Sequence, residues 1–244
     1  MPAPGALLVV ALAVFSGAML NALSGFGFAL ITVPLMTLAL GPKEAVVLSA
    51  VVGLVSNSVV LLRNRRAVER GLAGRLLAGS VVGMPLGVLV LSHVPEGPLQ
   101  VAMALSVLGA AALYGSGARV VAPGAALDAA AGLVSGAFNT SVGISGPPVV
   151  VTLTGHRLDK SAFRATSVAV FALSGVVAIA LFTAAGRLDT GVLGTALVAL
   201  PALPLGLVVG DRVHLGVPEN RFRHIVLGLL VLTSLATLWN ALAG

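Results

Sequence analysis

Residues 139–155 read NTSVGISGPPVVVTLTG, a polar, bent run inside a chain that is otherwise almost continuous hydrocarbon. Asn139, Thr140, Ser141 and Ser145 supply uncharged hydrogen-bond donors, and Gly143 and Gly146 let the backbone turn. Pro147 and Pro148 lack amide protons, so a helix cannot run smoothly through this point. Proline is tolerated in the first turn of a helix, so PPVVVTL is expected to start a new half-helix whose N-terminus points into the protein. Such a terminus offers free amides and a positive dipole end, and it attracts anions without a formal cation. Residues 16–35, SGAMLNALSGFGFALITVPL, repeat the pattern and add Asn21, Ser24, Gly25 and Gly27. Two opposed half-helix starts would form one shared anion pocket. The competing reading is a pair of kinked helices whose small residues serve close packing alone.

Three further residues carry either of two roles. Asn57 lies inside an apolar helix, where its amide either lines the pocket or bonds to a neighbouring helix. Arg164, one turn after Lys160, either attracts the anion or snorkels to the membrane interface. Asp128 either carries a proton or favours a helix start near the surface.

Other chemistries lack support. GISG matches the Gly-x-Ser-Gly pattern of intramembrane serine proteases, but His93, His156, His214 and His224 all fall in joints or at helix ends, away from a base position for Ser145. No enzyme activity is expected. His and carboxylate residues are not grouped at metal-ligand spacing, the chain has no cysteine, and no cofactor is implied.

These residues must be held by membrane helices. Of 244 residues 58% are hydrophobic and 9% charged, against about 25% charged in soluble domains, and the mean hydropathy is +1.09. Apolar stretches near the ~20 residues needed to cross a bilayer recur throughout, which indicates a helical bundle. The net charge of +6 reflects loops rich in arginine, and nucleic acid is not an expected partner. The opening MPAPGALLVVALAV lacks the basic start of a secretory signal and reads as the first membrane segment.

The two halves resemble each other at a spacing of roughly 120 residues. Pro85 matches Pro204; Val94, Pro95 and Glu96 match Val217, Pro218 and Glu219; residues 16–35 match 135–153. The repeats are expected at 1–118 and 119–244 within one membrane domain. Each contains a broken stretch (5–40 and 125–154) and three membrane helices, at 44–62, 76–92 and 98–116, then at 161–184, 190–209 and 222–243. Placing Arg63, Arg65, Arg66, Arg70 and Arg75 in the cytoplasm puts all 14 Lys and Arg residues there except Lys43 and Arg187, provided each broken stretch starts and ends on one side. The expected fold is therefore an all-α polytopic protein of two inverted repeats, each a broken or re-entrant helical hairpin followed by three transmembrane helices. That makes about eight conventional spans and up to ten helices, the architecture of many secondary transporters. Parallel halves remain an alternative if each stretch crosses once.

SGFGFALITVPLM, GISGPPVVVTL and KSAFRATS resemble the TauE/SafE sulfite exporter family, and the likeness covers nearly the whole chain. The resemblance implies a multi-pass transporter of the bacterial inner membrane that exports sulfite, a sulfonate or a related sulfur-containing organic anion. It places the substrate at the two Gly-rich breaks. The substrate-binding set is then Asn21, Ser24, Gly25, Gly27, Asn57, Asn139, Thr140, Ser141, Ser145, Gly146, Pro147 and Arg164. Where the family tends to carry a run of glycines this chain has GFGFA, so Phe26 and Phe28 narrow or alter the site. Partners are the anion and the lipid bilayer; a coupling ion is not identified, and a homodimer is compatible. A passive anion channel is the alternative function.

Overall fold

In a computed structural model, the described residues are 2–116, 124–213 and scattered positions between 228 and 239. They form ten α-helices and one short 3-10 helix, with no strand among them. The order is α1 (Pro4–Ser24), α2 (Phe28–Leu40), α3 (Pro42–Asn64), the 3-10 helix (Arg65–Ala67), α4 (Arg70–His93) and α5 (Glu96–Ser116). The second half gives α6 (Ala125–Ser141), α7 (Gly146–Gly155), α8 (Lys160–Ala184), α9 (Thr190–Ala199) and α10 (Ala202–Val213). The expected last helix at 222–243, Arg119, the turn at 217–221, His214 and His224 fall outside the described residues or among their scattered remnants.

Among the described residues five helices are long and apolar enough to cross a membrane, or six if the bent pair α9–α10 counts as one. Leu8, Leu12, Leu86, Leu89, Leu105, Leu197 and Leu205 stand exposed on the outside, where lipid rather than water covers them in a multi-pass membrane protein.

Both broken stretches are helix, break, helix. A left-handed glycine ends the first arm of each: Gly25 at φ +75° caps α1 with its amide on Asn21 O, and Gly143, also at +75°, follows α6. An L side chain is strained at that φ, which is why glycine stands at both corners. Past each corner the chain turns back. Thr32 and Phe28 of α2 press on Gly17 of α1, and His156 beyond α7 reaches Asp128 at the start of α6. At 1.5 Å per residue the 13 residues of α2 and the 10 of α7 extend only about 20 and 15 Å, short of the ~30 Å hydrocarbon core.

The packing pairs of the two halves match one another. α1 packs on α10 as α6 packs on α4, α3 packs on α8, and α4 meets α8 as α9 meets α3. The α4–α6 contact is the tightest because both faces are glycine. A Cβ at Gly79, Gly83 or Gly87 would lie 1.9–2.2 Å from carbonyl oxygens of α6, and one at Gly132 or Gly136 would lie 2.1 or 2.0 Å from those of α4. Backbones approach this closely in lipid only where side chains are absent. Gly206 and Gly210 of α10 play the same part against Phe15 and Met19 of α1.

Two boundaries depart from expectation. The expected helix 190–209 is bent by 43° between α9 and α10. Pro204 alone would be tolerated, as Pro85 is inside the unbroken α4, but Pro201 stands just upstream and removes a second amide. Helix α4 starts at Arg70, six residues before the expected position, because Arg70 can reach outward from helical backbone and Arg75 pairs with Asp128 of α6.

Candidate anion cavity between the helix breaks

The two breaks meet. Gly27, Phe28, Ala29 and Leu30 from the start of α2, and Gly143, Ile144, Ser145 and Gly146 from the start of α7, line one cavity with Asn21, Ser49, Asn57 and Asn139. Phe26, Gly53, Leu54, Phe171 and Gly175 are among the residues closing its sides. The cavity is about 50 Å³, several times the ~10–15 Å³ that one water requires. Neither α2 nor α7 has a side-chain cap.

The two helix ends differ in what they offer. The amides of Phe28, Ala29 and Leu30 have no partner within α2, being its first three. In α7 the same three positions are Gly146, Pro147 and Pro148, so only Gly146 has an N–H to give. Helix α2 therefore contributes donors and dipole, and α7 contributes mainly dipole.

Asn21, wholly buried near the end of α1, sits at the wall. Its Nδ2 donates to Ser56 Oγ at 3.0 Å and to Asn57 Oδ1 at 3.1 Å, while its Oδ1 is buried without a partner. A half-turn of this carboxamide, with Asn57 turned likewise, would let Oδ1 accept from Ser56 and from Asn57 Nδ2. The Asn21 NH₂ would then occupy the place of that unpartnered oxygen. Asn57 thus both lines the cavity and bonds between helices.

Of the twelve residues singled out in the sequence, Asn21, Gly27, Asn57, Asn139, Ser145 and Gly146 line the cavity. The others are engaged around it. Ser24 Oγ donates to Leu20 O and receives the Phe26 amide, Thr140 Oγ1 donates to Met84 O of α4 at 2.6 Å, and Ser141 Oγ donates to Ala137 O. Pro147 opens α7, and Gly25 lies against the backbone and side chain of Arg164. Arg164 points to Asp211 on α10 with Nη2–Oδ1 at 3.4 Å, and its Nε is buried without a partner. Arg63 meets the other oxygen of Asp211 at 2.8 Å. Phe26 and Phe28 both narrow the cavity, the first standing edge-on to Phe163 with ring centroids 6.2 Å apart.

Sequence reasoning missed three features. Ser135 Oγ donates to Ser145 O at 2.8 Å and fixes the second corner to its own hairpin. Ser49 of α3 lines the cavity while sharing a 2.7 Å hydrogen bond with Thr32. The third concerns Asp128, whose carboxylate is completely buried at the start of α6 and bridges Arg75 Nε at 2.9 Å and His156 Nε2 at 2.8 Å. It clamps the base of the second hairpin to α4; only the spacing Asp128 to His156 hinted at a hairpin base. Arg75→Ala strips this carboxylate of its stronger partner, and we expect a loss of about 2–3 kcal/mol. Thermal unfolding in detergent, with Arg70→Ala as the control, measures it; equal melting of the two variants would show the clamp to be idle.

Among the described residues neither His93 nor His156 lines the cavity: His93 Nδ1 bonds Leu89 O and His156 bonds Asp128. Ser145 thus has no described histidine as a base.

Comparison with known proteins places the chain among membrane carriers. The family described as "Sulfite exporter TauE/SafE" matches residues 9–237. The chain is 24% identical over 229 residues to the "Probable sulfite/organosulfonate exporter TauE" of Cupriavidus necator, covering 88% of this chain and 87% of that one. It is 28% identical over 177 residues to the "Probable inner membrane transporter protein TsaS" of Comamonas testosteroni, covering 71% and 74% respectively. No solved structure matches.

Proposed function

The chain belongs to the sulfite exporter TauE/SafE family and is a transporter, not an enzyme, and from that premise we propose that it exports a small sulfur-containing oxyanion across a bacterial inner membrane. Sulfite and organosulfonates are the substrate class suggested by the relative from Cupriavidus necator. The anion sits where the N-termini of α2 and α7 converge. One observation carries this reading: both uncapped helix starts line one cavity together with a buried, incompletely bonded Asn21. In a medium of low dielectric, amides and dipoles already aimed at one point replace the hydration an anion gives up on entry.

The two halves, 1–118 and 119–244, are read as inverted repeats. The hairpin geometry favours this, because a stretch that returns to its starting face leaves each half with an odd number of crossings. The ion pairs fit the same arrangement: Arg63, Arg164 and Asp211 join the end of α3, the start of α8 and the end of α10 on the arginine-rich side. Arg187, on the opposite side, donates to Ser92 O at the end of α4. Rocking of one hairpin and its partner helix against the α3–α8 pair would open the cavity to each side in turn.

Flux of radiolabelled sulfite into proteoliposomes tests the site. Ser145→Ala and Asn139→Ala each remove a donor at the cavity wall, and a hydrogen bond to a charged group is worth about 1.5–3 kcal/mol. Each is expected to raise the half-saturating concentration at least ~10-fold. Wild-type affinity and rate in both variants would remove the anion from this cavity.

A further inference from the structure

Resting on the anion site just described, we infer that the transported species is a monovalent oxyanion that crosses without a coupling cation, so that each transport event moves one negative charge. The observation behind it is the chemistry of the cavity wall. The described residues lining it are Asn, Ser, Gly, Phe and aliphatic types, and none of them is titratable. Among the described residues no carboxylate lines it to carry a proton or to ligate sodium, and no Lys, Arg or His lines it to cancel a second negative charge. Asp128 and Asp211 are each already bridged by two cationic or imidazole partners: Arg75 and His156 for the first, Arg63 and Arg164 for the second.

The positive potential in the cavity comes from two helix N-termini, each equivalent to about half an elementary charge. Together they supply roughly +1, enough to balance a monoanion and only half of what a dianion requires. The cost of dehydrating an ion rises with the square of its charge, so the uncompensated remainder of a dianion weighs heavily in this setting. Pro147 and Pro148 sharpen the limit, since they withhold two amides that could have served a second charge. Hydrogensulfite and alkylsulfonates fit the site; sulfite as a dianion and sulfate do not. A negative cell interior then drives such an anion outward on its own.

The accumulation ratio in proteoliposomes counts the charge moved. With full-length protein, an inside-positive potassium diffusion potential of about 100 mV should concentrate methanesulfonate, a monoanion at every workable pH, roughly 50-fold at equilibrium. Removing sodium or collapsing the pH gradient at constant potential should leave that ratio unchanged. Sulfite uptake should fall as pH rises through its second ionisation while methanesulfonate uptake stays level, and sulfate should not enter. Asn139→Lys, which adds a cation at the cavity wall, should admit sulfate.

A methanesulfonate ratio near one, or one that follows the sodium or proton gradient, overturns the inference. The underlying site fails separately. If Ser145→Ala still cripples flux while the ratio stays at one, the cavity stands and the charge count is wrong; if Ser145→Ala and Asn139→Ala both transport normally, the site and the inference fall together. Absence of flux for both probes in the wild-type protein would overturn both.

Discussion

Gly83→Leu should not yield a monodisperse folded protein, whereas Gly74→Ala on the same helix should behave as wild type. The Cβ of any residue at position 83 would stand 2.0 Å from the Leu133 carbonyl oxygen of α6, where ordinary contact begins at 3.4 Å. The obstacle is backbone, which cannot rotate aside as a side chain would, so α4 and α6 must part by more than an ångström. Neighbouring positions forbid a local remedy: Gly79, Gly87, Gly132 and Gly136 are pressed just as closely along the same seam, and all would lose contact together. Overpacking a well-filled core costs about 1–3 kcal/mol, and a wedge that opens an entire helix pair exceeds that range. Gly74 has no neighbour within 4 Å of its notional Cβ, so it reports the propensity change alone. Size-exclusion profiles and melting in detergent decide the matter. Gly206→Leu, facing the Phe15 carbonyl at 2.3 Å, should fail in the same way at the α1–α10 seam. A well-folded Gly83→Leu protein melting with the wild type would mean that α4 and α6 do not pack as described.

Asn21→Asp should abolish transport while leaving the fold intact. The substitution is nearly isosteric, but it replaces two amide donors with a carboxylate at the wall of the cavity. A negative charge ~5 Å from the bound anion, at an effective dielectric constant of ~20, repels it by about 3 kcal/mol, a loss of more than 100-fold in affinity. Flux should then return in part as pH falls and the carboxyl takes up its proton, the opposite of what loss of fold would produce. Asn21→Leu separates charge from lost hydrogen bonding: it removes the Ser56 and Asn57 partners without adding charge and should cost nearer 10-fold. Sulfite flux across a pH series measures all three proteins. Undiminished flux through Asn21→Asp would place the anion elsewhere.

The residues at and around the cavity divide according to what a linear sequence can express. Gly25, Gly27, Gly143, Pro147 and Pro148 announce the two corners, because tolerance of positive φ and a missing amide are properties of the residue itself. Asn139 and Ser145 follow, as polar groups beside a corner. Ser24, Thr140 and Ser141 look equivalent in sequence, yet their hydroxyls are bonded to backbone carbonyls of their own helix or of α4. Side-chain direction decides that, and it depends on which helix lies alongside. Ser49 and Ser56, on α3, offered no signal because a serine in an apolar helix reads the same whether it faces a cavity or a neighbour.

By itself, the sequence determined that this is a helical membrane protein, where its chain turns, and which two turns carry donors. Each of these follows from local chemistry: hydropathy over one span, the missing Cβ of glycine, the missing amide of proline. Only the tertiary structure decided that the two turns meet in one cavity, that Asp128 is buried between Arg75 and His156, and that glycine seams join α4 to α6 and α1 to α10. The reason is physical. In lipid an apolar face gains little from leaving its surroundings, so hydropathy does not say which helices pair. That choice falls to close backbone approach and a few polar contacts between residues far apart in the chain.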